Sequence, residues 1–248
     1  MDILKFSLKG RTGFFKKPEV NTYISFTYSN IHKVALLGIL GAIRGYGGYS
    51  SWDMTGRKED YPEFYQRLKD LQCSIVPTNE DGAVRKKIQQ FNNSVGYASE
   101  EQGGNLIVKE QWLENPSWHI YIALDCDEAK KIAEDLESHR CVYIPYLGKN
   151  DHIADIDEVS IIPNCVPVKD FIKIDSLCLK HKVLYGDIND YEDEYYGIRE
   201  FRYEETLPVA LNIDTMMYES KAFIHSNLPV ESYEDEVYRL DKESFVFF

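Results

Sequence analysis

A tract beginning at Arg85, Lys86 and Lys87 continues through Gln90, Phe91, Asn92 and Asn93, and Lys109 and Trp112 lie on the segment that returns from it. Charge for a phosphate backbone, amides for base edges and rings for stacking are what a single-stranded nucleic acid asks of a protein. Phe91 and Trp112 could equally pack two arms of one hairpin together. A second group lies nearer the N-terminus. Lys16 and Lys17, just before Pro18, read either as mobile point charges for phosphates or as solvated surface lysines. Asn21 and Tyr28 offer hydrogen bonds or stacking to unpaired bases, a half-buried ring being the alternative for Tyr28. His32 and Lys33 open an apolar segment whose start, if helical, presents free N–H groups and partial positive charge to a phosphate; capping or packing is the other role for His32. Arg44, Tyr46 and the glycines 45, 47 and 48 close that segment, where glycine either lets a backbone approach RNA or simply ends a helix. Lys149 and His152 lie in YLGKNDH, and Asp151 and Asp155 beside them weaken the case for phosphate.

Other chemistries find less support. There is no GxxxxGK[ST] phosphate loop, no HxH or HExxH spacing and no CxxC pair, so no nucleotide-binding loop, metal or cofactor is expected. The five cysteines are widely spaced and read as reduced thiols. RNA cleavage through the 2′-OH needs a base, an acid and a cation together. His32, Tyr46 and Lys86 are the residues that could be imagined converging, and no adjacent Lys–His pair stands in the Arg85–Trp112 tract.

The elements that must carry these residues follow from periodicity. Residues 2–9 alternate apolar and polar and read as a strand; 10–18 read as a loop and Tyr23–Tyr28 as β-prone, with Asn30 in the N-cap position of a helix over His32–Arg44. A second helix is expected over 61–71, with Pro62 in its first turn, and strands over 73–77, 118–124 and 141–146. Asp127–His139 starts acidic and is amphipathic, another helix. Residues 80–117 read as a long hairpin inserted between two strands. The resulting order, strand, helix, strand, insertion, strand, helix, strand, is that of an α+β, ferredoxin-like domain over residues 1–155. Residues 156–248 hold short apolar runs between acidic segments and read as a smaller β-rich part, with an acidic loop at Ile188–Tyr196.

Charge is divided along the chain. The formal net charge is −13, which taken whole disfavours a polyanion as partner. Residues 1–50, however, carry seven Lys/Arg against two Asp/Glu, and residues 1–117 carry 15 against 13, leaving 13 against 28 for residues 118–248. An RNA-facing surface is therefore expected in the N-terminal half, with the acidic half turned to solvent or a protein partner. The longest apolar run, Val34–Ile43, is about half the ~20 residues a membrane helix needs, and no signal peptide is evident, so a cytoplasmic protein without membrane contact is expected.

Three segments, FSLKGRTGFFKKPEVN (6–21), HKVALLGILGAIRGYGG (32–48) and YIPYLGKNDHIADI (143–156), taken in this order and spacing, resemble the fifth family of CRISPR-associated proteins in its type I-B form, within the RAMP superfamily. The resemblance covers about the first 160 residues. It implies a Cascade subunit that grips the 5′ handle of the CRISPR RNA, caps the filament of backbone subunits, contacts the large PAM-reading subunit and meets target DNA only through the complex. It also implies that the inserted hairpin acts as a "thumb" over the RNA. In type I-C the matching subunit cuts precursor RNA itself, whereas type I-B systems are expected to use a separate endonuclease. Cutting by this chain and a protein-only scaffold role are the alternatives.

Overall fold

The computed structural model describes residues 1–248 apart from 20–22, 80–81, 95, 188–196 and 198, and of 98 and 99 the backbone alone. Asn21 and the acidic loop at 188–196 thus lie outside the described residues. In chain order the elements are β1 (Ile3–Lys9), β2 (Thr12–Gly13), α1 (Lys33–Arg44), α2 (Tyr49–Met54), α3 (Glu63–Leu68), β3 (Cys73–Pro77), β4 (Arg85–Asn92), β5 (Ile107–Glu114), β6 (Ser117–Ala123) and α4 (Asp127–Glu137). They continue as β7 (Asp155–Ile162), β8 (Pro167–Val168), β9 (Cys178–Leu179), β10 (Val183–Tyr185), β11 (Arg202–Leu211), β12 (Tyr218–Ser226), β13 (Val230–Tyr233), β14 (Val237–Leu240) and β15 (Glu243–Val246). The chain is mixed α+β, and no helix is long and apolar enough to cross a membrane.

β1, with its period-2 pattern, lies inside the central sheet, whose order is β3-β6-β1-β7 with every neighbouring pair antiparallel. Two strand–helix–strand halves, β1-α1-β3 and β6-α4-β7, are interleaved in it. Leu4, Phe6, Leu8, Ile120 and Ile122 turn to one face, where they are buried against Leu36, Leu37, Leu40, Ile132 and Leu136 of α1 and α4. Each such side chain stabilises the fold by about 1.5–3 kcal/mol. The opposite face is covered too: Ile3, Val76 and Tyr121 pack with Tyr238 and Phe245, and the Tyr121 and Phe245 rings stack at 3.9 Å. Burial on both sides is why residues 118–124 are nearly all apolar.

Three local expectations are corrected. Asn30 does not cap α1: its side-chain oxygen accepts the Trp118 indole N–H at 3.0 Å, and His32 is the cap, its Nδ1 accepting the Ala35 N–H at 3.2 Å. The run 141–146 is not a strand. Its Val142 and Tyr143 N–H groups donate to the Ile43 and Ala42 carbonyls at the end of α1, so the segment crosses the helix end. Val142 sits over Gly45, whose φ of 76° ends the helix and which has no room for a Cβ. Finally, β7, which starts at Asp155, is the fourth strand of the central sheet, so that sheet runs past residue 155.

The inserted segment is a hairpin, β4 pairing β5 from Arg85↔Glu114 to Asn92↔Ile107. Its inner arm is anchored by β2 and by Ser25, whose N–H donates to the Lys109 carbonyl while its own carbonyl accepts from Gln111, both at 2.9 Å. The remaining β strands form three small sheets, β11-β12-β9, β15-β14-β8 and β10-β13. Leu207, Leu211 and Phe223 of β11 and β12 join the same buried cluster as α1, and the Phe248 backbone pairs with Cys73 of β3.

Candidate nucleic-acid interface

Residues 15–17 are laced to residues 26–28. Phe15 donates its N–H to Thr27 Oγ1, Tyr28 to the Phe15 carbonyl and Lys17 to the Phe26 carbonyl, each at 2.9 Å. This lacing places Lys17 over the Tyr28 ring, 5.1 Å from its centroid, a cation–π contact. It also delivers Ser29 to β11, where its N–H donates to both carboxylate oxygens of Glu205, at 3.0 and 2.9 Å. Lys17 reaches the same carboxylate at 3.4 Å, and Lys86, arriving from the hairpin, donates to Ser29 Oγ at 2.7 Å. Lys17, Tyr28 and Lys86, which lie up to 69 positions apart in the chain, are thereby brought around one point.

Beside that point opens a cleft of about 710 Å³ lined by Lys17, Tyr28, Tyr49, Met217 and Tyr218 and also by the carboxylates of Glu19, Glu204 and Glu205. Burial pushes the Tyr28 hydroxyl up to about 12, so it stays a neutral phenol. Under the cleft, His32 meets the Tyr28 and Tyr218 rings edge-on, each at 5.2 Å. Burial lowers the His32 imidazole to about 3, so it is uncharged at neutral pH. Tyr28 is 4% exposed and its ring is buried, so Tyr49 and Tyr218, 44% and 38% exposed, are the rings that can hold an unstacked base, with Lys17 at the rim for its phosphate. Glu205, Tyr49, Met217 and Tyr218 carry no sequence signal for this. They belong to elements remote in the chain and meet Lys17 and Tyr28 only through the fold.

The strand period divides the tract that reads as one patch. Lys86, Gln90 and Asn92 share a face of the hairpin with Lys109, the partner of Gln90. Ile88 and Ile107 stand among them, each about half exposed. Arg85, Lys87 and Phe91 turn the other way with Trp112. There Phe91 and Trp112 lie 6.2 Å apart, Trp112 meets His152 at 4.6 Å, and the Trp112 indole donates to Glu110 at 2.8 Å. Lys149 lies over Phe91 and is paired with Glu110 at 3.1 Å; Lys87 is paired with Glu114 at 3.3 Å. On this face Phe91 and Trp112 pack together, and the charges of Lys87 and Lys149 are paired. Arg85, Lys16 and Lys109 are exposed, with no ion pair among the described residues.

Other sequence-chosen residues serve the interior. His32 is 3% exposed and Lys33 8%; Lys33 donates to the Phe248 carbonyl at 2.9 Å, so neither presents itself to a phosphate. Arg44 is bound to Asp135 and to Tyr46, whose hydroxyl donates to Glu128, and the two tie α1 to α4. The imagined cleavage trio is not assembled: His32 and Tyr46 flank a helix of 12 residues, roughly 18 Å long, and His32 has its Nδ1 committed to the cap. Among the described residues no three His, Cys, Asp or Glu side chains gather in a metal-holding group.

No family model and no curated protein matches this sequence. Solved structures do. A CRISPR protein from Archaeoglobus fulgidus superposes with a TM-score of 0.51 and 11% identity, over 99% of this chain and 98% of its own. A chain of a CRISPR RNA-guided surveillance complex gives 0.48 and 12%, over 93% and 91%, and one of a type III-B Cmr-beta complex bound to cognate target RNA gives 0.45 and 11%, over 91% and 85%. The chain therefore shares the fold of a CRISPR protein along nearly its whole length; identity this low speaks to fold alone.

Proposed function

We propose that this chain is a non-cleaving, RNA-holding subunit of a type I-B CRISPR Cascade complex. It binds the 5′ handle of the CRISPR RNA and caps the backbone filament beside the large PAM-reading subunit, in the cytoplasm and without metal or cofactor. In this reading the interleaved four-stranded sheet is a ferredoxin-like RAMP domain and the β4–β5 hairpin is its thumb. The observation that carries it is the convergence of Lys17, Tyr28 and Lys86 beside the tyrosine-lined cleft, within a fold shared with a CRISPR protein. Lysines at the rim take handle phosphates and the rings take bases that leave the stack. Gln90, Asn92 and Lys109 extend the path along the hairpin. The acidic C-terminal half repels stray RNA, so the grip is completed by neighbouring subunits.

The test is binding of purified protein, alone and with backbone subunits, to repeat-derived RNA with an intact or scrambled handle, with cleavage followed in the same tubes. Handle-dependent retention of uncut RNA is expected. Specific cutting would make the chain the processing nuclease, and no binding even with backbone subunits present would make it a protein scaffold.

A further inference from the structure

We propose that a groove on the acidic half of the molecule receives an extended, basic segment of a protein partner. This inference stands apart from the RNA reading, whose residues lie in other elements. The groove has a volume of about 840 Å³ and runs between Pro167 and Val168 of β8 and Glu231, Ser232 and Tyr233 of β13. Among the described residues both are outer strands of their small sheets, β8 pairing with β14 and β13 with β10. The Val230 N–H at the start of β13 is taken by the Ile172 carbonyl at 2.7 Å and Pro167 has no N–H, so an added chain would pair with the edge beyond them. The floor is apolar, made by Val168, Phe171, Val237 and Phe247.

Charge selects the occupant. Asp125, Glu231 and Glu234 stand at the rim, exposed, with no ion pair among the described residues. Asp235 is paired with Lys182 and Glu236 accepts the Tyr238 hydroxyl at 2.5 Å, so these two are satisfied internally. Lys169 and the Met1 ammonium, which donates to the Cys165 carbonyl at 2.7 Å, are the positive groups in the lining. Five carboxylates against these two, above an apolar floor, disfavour nucleic acid. They suit a chain in which lysine or arginine alternates with apolar residues, since a strand turns successive side chains to opposite sides.

The probe is a fluorescent eight-residue peptide of alternating lysine and leucine, with glutamate and leucine as its counterpart, followed by anisotropy against the full chain. Binding of the basic peptide alone is expected, weakened at least tenfold in the double variant Glu231→Lys/Glu234→Lys and weakened by Phe171→Ala, which leaves charge unchanged. The double variant Glu134→Lys/Glu137→Lys on exposed α4 positions changes net charge equally and is expected to bind like wild type. Equal loss in both double variants would reduce the effect to general electrostatics and overturn the proposal, as would no binding at all. Self-association of the wild type abolished by the groove variant would make a second copy of this chain the occupant and overturn it too. Circular dichroism of each variant separates lost binding from lost folding.

Discussion

Ser29 gives its backbone N–H to both oxygens of Glu205, a residue 176 positions further on, at 3.0 and 2.9 Å. One carboxylate from β11 thus fixes the end of the N-terminal loop and stands between Lys17 and Lys86. The Glu205 side chain is 15% exposed, so the contact is largely shielded from water.

Replacing that carboxylate should separate its two effects. Glu205→Ala removes a charge-assisted hydrogen-bond acceptor, a loss of about 1.5–3 kcal/mol. At about 2–4 °C per kcal/mol for a chain of this size, the unfolding midpoint should fall by roughly 3–12 °C. Glu205→Gln keeps an acceptor for Ser29, so it should lose less stability. Without the negative charge beside Lys17 and Lys86, it should bind handle RNA more tightly. Thermal unfolding and filter binding on the two variants check both effects.

Salt dependence should sort the lysines. Lys17→Ala and Lys86→Ala are each expected to weaken RNA binding and to reduce the slope of log K against log salt by about 0.7, the value for one single-strand phosphate contact. Arg44→Ala, which breaks the tie to Asp135, should lower the unfolding midpoint and leave that slope unchanged. Titrations at several salt concentrations decide; an Arg44 effect on the slope would move the interface to the other end of α1.

The two aromatic groups should behave oppositely. Tyr218→Ala at the cleft is expected to cost RNA affinity by about 1–3 kcal/mol, the worth of one stacked base, with Tyr218→Phe close to wild type. Trp112→Ala should mainly destabilise, because its ring packs on His152 and near Phe91 and its N–H is held by Glu110. Anisotropy and denaturant unfolding of both variants distinguish the roles.

Two histidines should make the fold acid-sensitive. Burial lowers His32 to about 3 and His225 to about 4, below the ordinary 6.5. The unfolded chain therefore binds the extra protons first. Their stabilising contribution is complete above pH 6.5 and is lost as pH falls toward 4, by up to about 1.4 kcal/mol per pH unit for each ring. His32→Asn keeps a side-chain acceptor for the Ala35 N–H and removes one titrating group, so its stability should fall less steeply between pH 6.5 and 4. Urea unfolding across that range measures the slope.

What the sequence determined by itself is what local pattern controls. The alternation at 2–9 placed β1, the apolar run at 118–124 placed β6, the apolar spacing in 34–43 placed α1, and the acidic start at Asp127 placed α4, because these patterns follow from local backbone geometry and burial. The hairpin was legible from its β-prone arms, and charge counting put the excess of lysine and arginine at the N-terminal end of the sequence. Tertiary structure decided which residues share a face and which are spent inside. Adjacent Arg85 and Lys86 part company because a strand sends neighbours to opposite sides. His32 and Lys33, plausible phosphate ligands at a helix start, are buried under the cleft and against the chain's last carbonyl. The Glu205 contact, the tyrosine cleft and the groove between β8 and β13 join segments far apart in the chain. No local spacing encodes such meetings, since they depend on how separate sheets pack and on where hydrogen bonds close once those surfaces have met.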